Sequence, residues 1–172
     1  MRILIVSDSH GEEALLNRIV KREEADHVIH CGDFCTDQSR LPAVSLTVVR
    51  GNCDWEPVPE EQQWDGGAWR FFVVHGHRHH VNSSLLSLRY RAEKVGATIA
   101  CFGHSHYPLC EQSGNILLIN PGSITQPRGF AVPTYTVLED VDESRVSIRY
   151  FTPSGEVVTE RGGTFSLKPA QK

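Results

Sequence analysis

The chain of 172 residues has no long apolar run, no basic excess and no closely spaced pair of cysteines. A helical membrane span needs about 20 consecutive apolar residues, and no stretch approaches that length, so no membrane partner is expected. The formal net charge is −4. That balance leaves no electrostatic footprint for broad nucleic-acid binding, and any attraction for phosphate has to come from a local positive centre. The five cysteines, Cys31, Cys35, Cys53, Cys101 and Cys110, are odd in number and contain no Cys-x-x-Cys pair. A disulfide scaffold and a structural thiolate zinc site are therefore not expected, and most of the thiols should be reduced and buried. The first residues carry no basic segment, apolar h-region or cleavage site, which makes the cytoplasm the expected location. With 40% hydrophobic and 22% charged residues, the composition is that of a globular protein. The length suits one domain with a sizeable core, residues 1–172.

Histidine is what the chain has in excess. Of nine histidines, seven lie at His10, in the run His75, His77, His79, His80, and at His104 and His106. Each stretch follows an apolar run of strand length. Arg2 to Ser7 holds Ile3, Leu4, Ile5 and Val6 and breaks at once into Asp8-Ser9-His10-Gly11. Asp33 follows Val28 to Cys31, Asn52 follows Leu46 to Val49, His75 follows Phe71 to Val74, and His104 and His106 follow Ile99 to Phe102. A carboxylate, amide or imidazole thus leaves the end of every early strand.

Between these runs the pattern is β-α alternation. Glu12-Glu13 followed by Leu15, Leu16, Ile19 and Val20 predicts a helix, with Lys21 and Arg22 near its end. Asp26 to Cys31 should return parallel to the first strand, since a helical crossover joins them. Ser45 to Arg50 and Trp69 to Val74 read as further strands, and Trp55 to Gly67, rich in Pro, Glu, Gln and Gly, reads as a loop. Ser83 or Ser84 can cap a helix carrying Leu85, Leu88, Ala92 and Val95 on one stripe and ending at Gly96, before a strand from Thr98 to Phe102. Hairpins follow: Tyr107 to Gln112 with Ile116 to Asn120, and Thr134 to Glu139 with Arg145 to Phe151, expected to complete a second sheet. After Pro153 the pattern is weak, and Gly162-Gly163 with a Lys-rich end suggests a mobile tail from about residue 160.

In open α/β sheets functional residues collect beyond the carboxyl ends of the strands. Asp8, His10, Asp33, Asn52, His75, His104 and His106 all sit there. Singly, each turn is unremarkable, but the ordered set Asp-x-His, Gly-Asp, Gly-Asn-x-Asp, His, Gly-His-x-His is hard to meet by accident. Carboxylate, amide oxygen and imidazole suit divalent ions such as Mn2+, Ni2+, Co2+, Fe2+ or Zn2+. The set is too large for one ion, and with one bridging carboxylate it fits two, about 3.5–4 Å apart.

Those motifs, together with Asn120-Pro121-Gly122-Ser123, closely resemble the calcineurin-like metallophosphoesterase superfamily, and within it the small YfcE-type phosphodiesterase branch. The resemblance implies an α/β fold, a four-layer αββα sandwich of two mixed sheets flanked by helices. It implies Asp8, His10, Asp33 and His106 on one metal ion and Asp33, Asn52, His75 and His104 on a second, with Asp33 shared and Mn2+ first among the ions. It further implies hydrolysis of a small-molecule phosphodiester by direct attack of a metal-bridging hydroxide. Asn52, Cys53 and Asp54 then fall in the catalytic turn, and Asn52 and His77 toward substrate. Many superfamily members carry histidine where this chain has Cys53, and a thiol brings no positive charge to a leaving oxygen. Phosphodiesters with good leaving groups are accordingly expected to be cleaved better than alkyl monoesters.

Other residues carry plainer expectations. His79 and His80 are expected to be structural, His27 and His30 to be packing or edge residues within a strand, Asp54 to orient the turn or contact the site, and Arg78 and Arg128 to be surface charges or to meet phosphate. Phe34 and Trp55 adjoin metal turns and are candidates to flank a substrate base. The late hairpins offer surface for a homodimer or homotetramer. Two rivals remain. His75-x-His77-x-His79-His80 resembles the histidine motif of metallo-β-lactamase-type hydrolases but leaves Asp8 and His10 unexplained. A retromer subunit of eukaryotes shares the expected fold as a non-catalytic scaffold, yet here every expected ligand position is filled.

Overall fold

A computed structural model of the chain describes residues 1–171. The run Ile3 to Val6 is apolar on both faces because strand β1 (Arg2–Val6) is buried on both faces. Helix α1 (Glu13–Glu23) starts on an acidic residue and carries Lys21 and Arg22 in its last turn, matching the helix dipole. It returns the chain to β2 (His27–His30), parallel to β1 with Leu4 opposite Val28, and β3 (Leu46–Val48) joins in parallel on the far side of β2. There follow β4 (Glu61–Gly66), β5 (Trp69–Val74), α2 (Leu86–Lys94), β6 (Ile99–Cys101), β7 (Leu109–Ser113), β8 (Ile116–Asn120), β9 (Tyr135–Asp142), β10 (Arg145–Phe151) and β11 (Val157–Ser166).

The strands form two mixed sheets, one in the order β11-β10-β9-β1-β2-β3 and the other β4-β5-β6-β8-β7. Strand alternation assigns each apolar side chain to a layer. Ile3, Ile5 and Ile29 of the first sheet meet Phe71, Val73, Ile99, Leu117 and Ile119 of the second in the central core. Leu4, Val6 and Val28 point the other way, onto Leu16 and Ile19 of α1. Phe72, Val74, Ala100 and Leu118 likewise cover Leu88 and Ala92 of α2. The result is the expected four-layer αββα sandwich.

Three local expectations need correction. Trp55 to Gly67 is not all loop, because β4 lies within it, paired antiparallel to β5. It is an edge strand whose inward positions are Gln62, Trp64 and Gly66, so its period of two is written in few aliphatic residues. The stretch after Pro153 is also ordered into a strand: β11 pairs with β10 from Phe151 opposite Val157 to Arg145 opposite Ser166. Gly162 and Gly163 mark an irregularity in that register, not a flexible tail. A Cβ on Gly162 would lie 2.2 Å from the Ile148 carbonyl oxygen. Finally, the late hairpins divide between the sheets. β7-β8 extends the second sheet beside β6, and β9-β10 extends the first beside β1.

The thiols are all free, but only Cys31 and Cys101 are buried, while Cys53 is exposed. Neither Ser83 nor Ser84 caps α2, whose N-cap is Leu85 without a side-chain cap; the Ser84 hydroxyl, one position earlier, accepts the Leu86 N–H at 3.2 Å. Among the described residues no helix is long and apolar enough to cross a membrane.

Tyr150 joins the two sheets. Its hydroxyl, on β10, lies 2.7 Å from the Leu109 carbonyl and 2.8 Å from that of Asn120, both in the second sheet, and the residue is wholly buried. Removing this one donor takes a partner from the buried Asn120 carbonyl and the half-buried Leu109 carbonyl. Tyr150→Phe should lower unfolding stability by about 1–2 kcal/mol in urea denaturation, with the far-ultraviolet circular dichroism unchanged.

Candidate metal centre

The parallel strands β1, β2, β3, β5 and β6 end along one rim of the sandwich, and there the chain leaves the sheets. Past β1 and β2 the pairing continues through the turns: Asp8 N–H donates to the Gly32 carbonyl at 3.0 Å, His10 N–H to that of Asp33 at 3.0 Å, and Gly11 N–H to that of Phe34 at 2.9 Å. Holding side chains inward from such turns requires left-handed backbone. Asp8, His10, Asp33, His104 and His106 all have φ between 42° and 68°. For residues with a Cβ this conformation carries a cost, and it persists where the surroundings enforce it.

The glycines preceding these turns are required by close approach. A Cβ on Gly51 would lie 2.0 Å from Asp33 Oδ1, and one on Gly103 would lie 2.6 Å from Asp8 Oδ2. Each carboxylate then uses one oxygen on the protein. Asp8 Oδ2 accepts from Ser7 Oγ at 2.5 Å and from His104 N–H at 3.2 Å, and Asp33 Oδ1 accepts the Cys53 N–H at 2.8 Å.

The remaining oxygens face imidazoles. Asp8 Oδ1 lies 3.1 Å from His106 Nε2, 3.7 Å from His10 Nε2 and 3.8 Å from His75 Nε2. Asp33 Oδ2 lies 3.2 Å from His75 Nε2 and 4.0 Å from His10 Nε2. His75 Nδ1–H donates to the Cys31 carbonyl at 2.7 Å and His106 Nδ1–H to the Gln126 carbonyl at 2.6 Å, so in both rings Nε2 is the nitrogen offered to the site. Asn52 Oδ1 lies 3.0 Å from His104 Nδ1, and the His104 ring stands 5.1 Å from that of His75. All seven sequence-predicted ligands therefore meet at one place.

Asp8 Oδ1 and His75 Nε2 are buried and have no hydrogen-bond partner. A buried carboxylate oxygen without a donor is costly. The ligating atoms of Asp8, His10 and His106 lie within 4.8 Å of one another, as do those of Asp8, Asp33 and His75, and a further group comprises His10, Asp33 and Cys53. Orphaned atoms and oxygen–nitrogen donors together fit divalent cations. Titration follows the same logic. Burial pushes the Asp8 carboxyl up, but the imidazoles of His10, His106 and His75 beside it outweigh burial and hold it far below the usual carboxylate range. For Asp33, burial is likewise outweighed by the neighbouring His75. Burial lowers His75, yet the nearby Asp33 and Asp8 reverse this and leave it raised, while the proximity of Asp8 raises His10.

Asp54 orients the turn that carries Asn52 and Cys53. It is buried, and its two oxygens accept the N–H groups of Asp33 (2.7 Å), Gly51 (2.7 Å) and Cys35 (2.8 Å), so it ties two ligand turns together. His30 is more than packing. Its Nδ1 accepts the Gly32 N–H at 3.1 Å and its Nε2 meets Ser9 Oγ at 2.8 Å, while burial pushes its pKa down to about 4 and keeps the ring neutral. Asn120 Nδ2 donates to the Gly103 carbonyl at 3.0 Å and Ser123 Oγ donates to that of Asp8 at 2.8 Å, which gives Asn120-Pro121-Gly122-Ser123 its function as a brace. The visible signal was a polar residue closing an apolar strand.

His77 stands at the edge of the cluster, its ring 5.5 Å from that of His75. Cys53 is exposed, with Asn52 Nδ2 donating to its sulfur at 3.5 Å. His79 is directed instead to Ser87 Oγ, 3.1 Å away, His80 and Arg128 are exposed, and Arg78 pairs with Glu60. Phe34 is buried against His30, and Trp55 is 59% exposed.

The family model described as the calcineurin-like phosphoesterase superfamily domain matches residues 1–143, which include all seven clustered residues. The chain belongs to that superfamily. It is 40% identical over 164 residues, covering 93% of this chain and 96% of the other, to a Bacillus subtilis protein named probable metallophosphoesterase YsnB. It is 26% identical over 179 residues to the phosphodiesterase YfcE of Escherichia coli, covering 81% and 88% of the two chains. Among solved structures, a predicted phosphoesterase from Streptococcus pneumoniae superposes with a TM-score of 0.88 at 32% identity, covering 96% and 97%. The fold is shared more widely: Vps29 of Entamoeba histolytica, in complex with zinc, gives a TM-score of 0.74 at 21% identity, covering 96% and 99%. Membership of this superfamily supports a metal-binding phosphoesterase-type hydrolase, and the donor set described above is where divalent ions fit.

Gly51 lacks the positive φ that only glycine accepts readily, so alanine there acts solely through its collision with Asp33. Gly51→Ala should weaken divalent-ion binding at least about tenfold in titration calorimetry. Unaltered affinity would show that Asp33 is not held by this contact.

Proposed function

We propose that the protein is a dinuclear-metal-dependent phosphodiesterase acting on small-molecule phosphodiesters. The observation that carries the reading is the pair of buried, partnerless ligand atoms, Asp8 Oδ1 and His75 Nε2, with Asp33 Oδ2 beside them. Asp8, His10, Asp33 and His106 hold one ion, and Asp33, Asn52, His75 and His104 the other. Asp33 is the shared carboxylate. Its position between His75 and His10 supports this. Bound divalent ions, manganese first among nickel, cobalt, iron and zinc, polarise phosphoryl oxygens and lower the pKa of water.

The protein's own groups set the rest. Asn52 and His77 lie at the open side of the cluster, where a phosphoryl group enters. Cys53 sits beside them, its pKa raised by burial and by the charge of Asp33. A neutral thiol can donate a proton but adds no positive charge opposite a leaving group, which favours diesters whose leaving groups need little protonation. The YfcE phosphodiesterase among the relatives supports the same substrate class.

A non-catalytic scaffold is the competing reading, since Vps29 shares this fold and is itself found with zinc. Ion binding alone therefore does not separate the two, and turnover does. Protein loaded separately with Mn2+, Ni2+, Co2+ and Zn2+ should hydrolyse bis(p-nitrophenyl) phosphate with at least one ion. Chelation should abolish the activity, and Asp33→Asn should reduce it by at least about a hundredfold. Ion binding without turnover under every loading would favour the scaffold. In the active form, Cys53→His should raise activity on alkyl monoesters relative to diesters, and an unchanged ratio would remove Cys53 from leaving-group chemistry.

A further inference from the structure

A second concentration of positive charge lies at the end of the molecule away from the metal centre. Strands β5, β6 and β8 run parallel, so the rim where they begin is opposite the rim where their polar turns emerge. A cavity of about 310 Å³ opens at the starting rim, between Arg70 and Thr98 at the strand beginnings, Arg89 and Glu93 on α2, and the terminal segment at Lys168 and Pro169. Small-molecule sites span about 300–1,000 Å³, and this cavity falls at the lower end of that range. The wall that carries Lys168 is fixed. Lys168 N–H donates to Asn115 Oδ1 at 2.6 Å, Asn115 Nδ2 donates to the Lys168 carbonyl at 3.1 Å, and Ala170 N–H donates to the Ala68 carbonyl at 2.9 Å.

Arg89 supplies the observation that points to a ligand. Its Nε is buried and has no hydrogen-bond partner among the described residues. The Tyr90 ring, 5.8 Å from the guanidinium carbon, offers a π face but no acceptor oxygen. A guanidinium N–H taken from water without an acceptor is costly, and an anion in the cavity would meet it. Arg70 divides its donors. Its Nε and Nη2 bind Asp65 at 2.9 Å and 3.3 Å, while its Nη1 lies 3.5 Å from where a Cβ on Gly96, in the cavity wall, would stand. Against Arg70, Arg89 and Lys168 the lining sets a single carboxylate, Glu93. In a chain of net charge −4 that balance is a local reversal of sign.

We infer that this cavity binds a small organic phosphomonoester, its phosphoryl oxygens meeting Arg89, Lys168 and Arg70 Nη1 and its organic part lying along Ile116, Ala97 and Pro169. The cations approach from three separate elements, α2, β5 and the terminal segment. A tetrahedral dianion has acceptor oxygens in three directions, whereas a carboxylate offers its lone pairs in one plane. The inference does not depend on the metal-centre reading, since none of the seven clustered residues borders the cavity.

Phenylphosphonate, a phosphomonoester mimic that water does not cleave, tests the inference when titrated into the full-length protein and followed in amide NMR spectra. Zinc-loaded and chelated protein should respond alike, with the amides of Thr98, Asn115 and Ala170 shifting and saturating together. Binding at the metal rim would instead move Asn52 and Cys53 and vanish on chelation. Arg89→Gln should weaken the response at the cavity at least about tenfold. Lys168→Gln, which leaves the backbone bonds of the terminal segment in place, should weaken it too and covers a folding defect in the first variant. Phenylphosphonate should raise the melting temperature of wild type and not that of Arg89→Gln. Silent cavity amides, shifts at the rim alone, or undiminished affinity in both variants overturns the inference. So does benzoate or inorganic phosphate bound as tightly as phenylphosphonate, the first removing the phosphoryl group and the second the organic part. Each of these results leaves the metal centre to be judged by turnover.

Discussion

A carboxylate oxygen sealed away from water, with no donor to meet it, is the constraint around which this molecule is arranged. Asp8 Oδ1 is such an atom, and its counterpart is the equally isolated His75 Nε2. Both cannot stay as they are without cost. The carboxylates push the imidazoles of His10 and His75 toward their charged forms, a partial answer to the same demand. A divalent cation answers the same demand more fully, since it meets several donors at once. The superfamily's chemistry is thereby founded on an electrostatic debt written into the fold.

Backbone, more than side chain, delivers the donors. Five of the seven gathered residues sit in left-handed conformations, and the turns that carry them are stitched together by N–H groups bound to Asp54 and to neighbouring carbonyls. Glycines ahead of Asn52 and His104 clear the space into which Asp33 and Asp8 reach. Further from the cluster, Asn120, Ser123 and His30 hold the turns to one another. The strain at the rim is borne by this framework.

The sequence made the parallel strands and the ligand cluster legible for one physical reason: apolar runs buried on both faces end abruptly in polar turns, and ligand chemistry names itself by residue type. What it hid was equally physical. Strand β4 escaped because an edge strand needs few aliphatic residues, and Gln62 and Trp64 do not advertise a period of two. Strand β11 escaped because Gly162-Gly163, which reads as slack, serves a register shift. Which sheet each late hairpin joins depends on the free edges of β1 and β6, and those exist only once the tertiary structure does. Asp54 reads in sequence only as part of the turn beside Asn52, and the coordinates show that both its oxygens are taken by amide N–H groups.

The ligands come from both halves of the sandwich: Asp8, His10, Asp33 and Asn52 follow strands of one sheet, His75, His104 and His106 strands of the other. An ion gripping donors from both sheets would be a rivet through two plates, and sliding one plate past the other would tear it out. Loading and cohesion are consequently coupled by mass action, with every rise in free ion concentration above the dissociation constant deepening the native well. The abundance of intact protein in a cell is then tied to the cell's supply of that ion, quite apart from any reaction the centre performs.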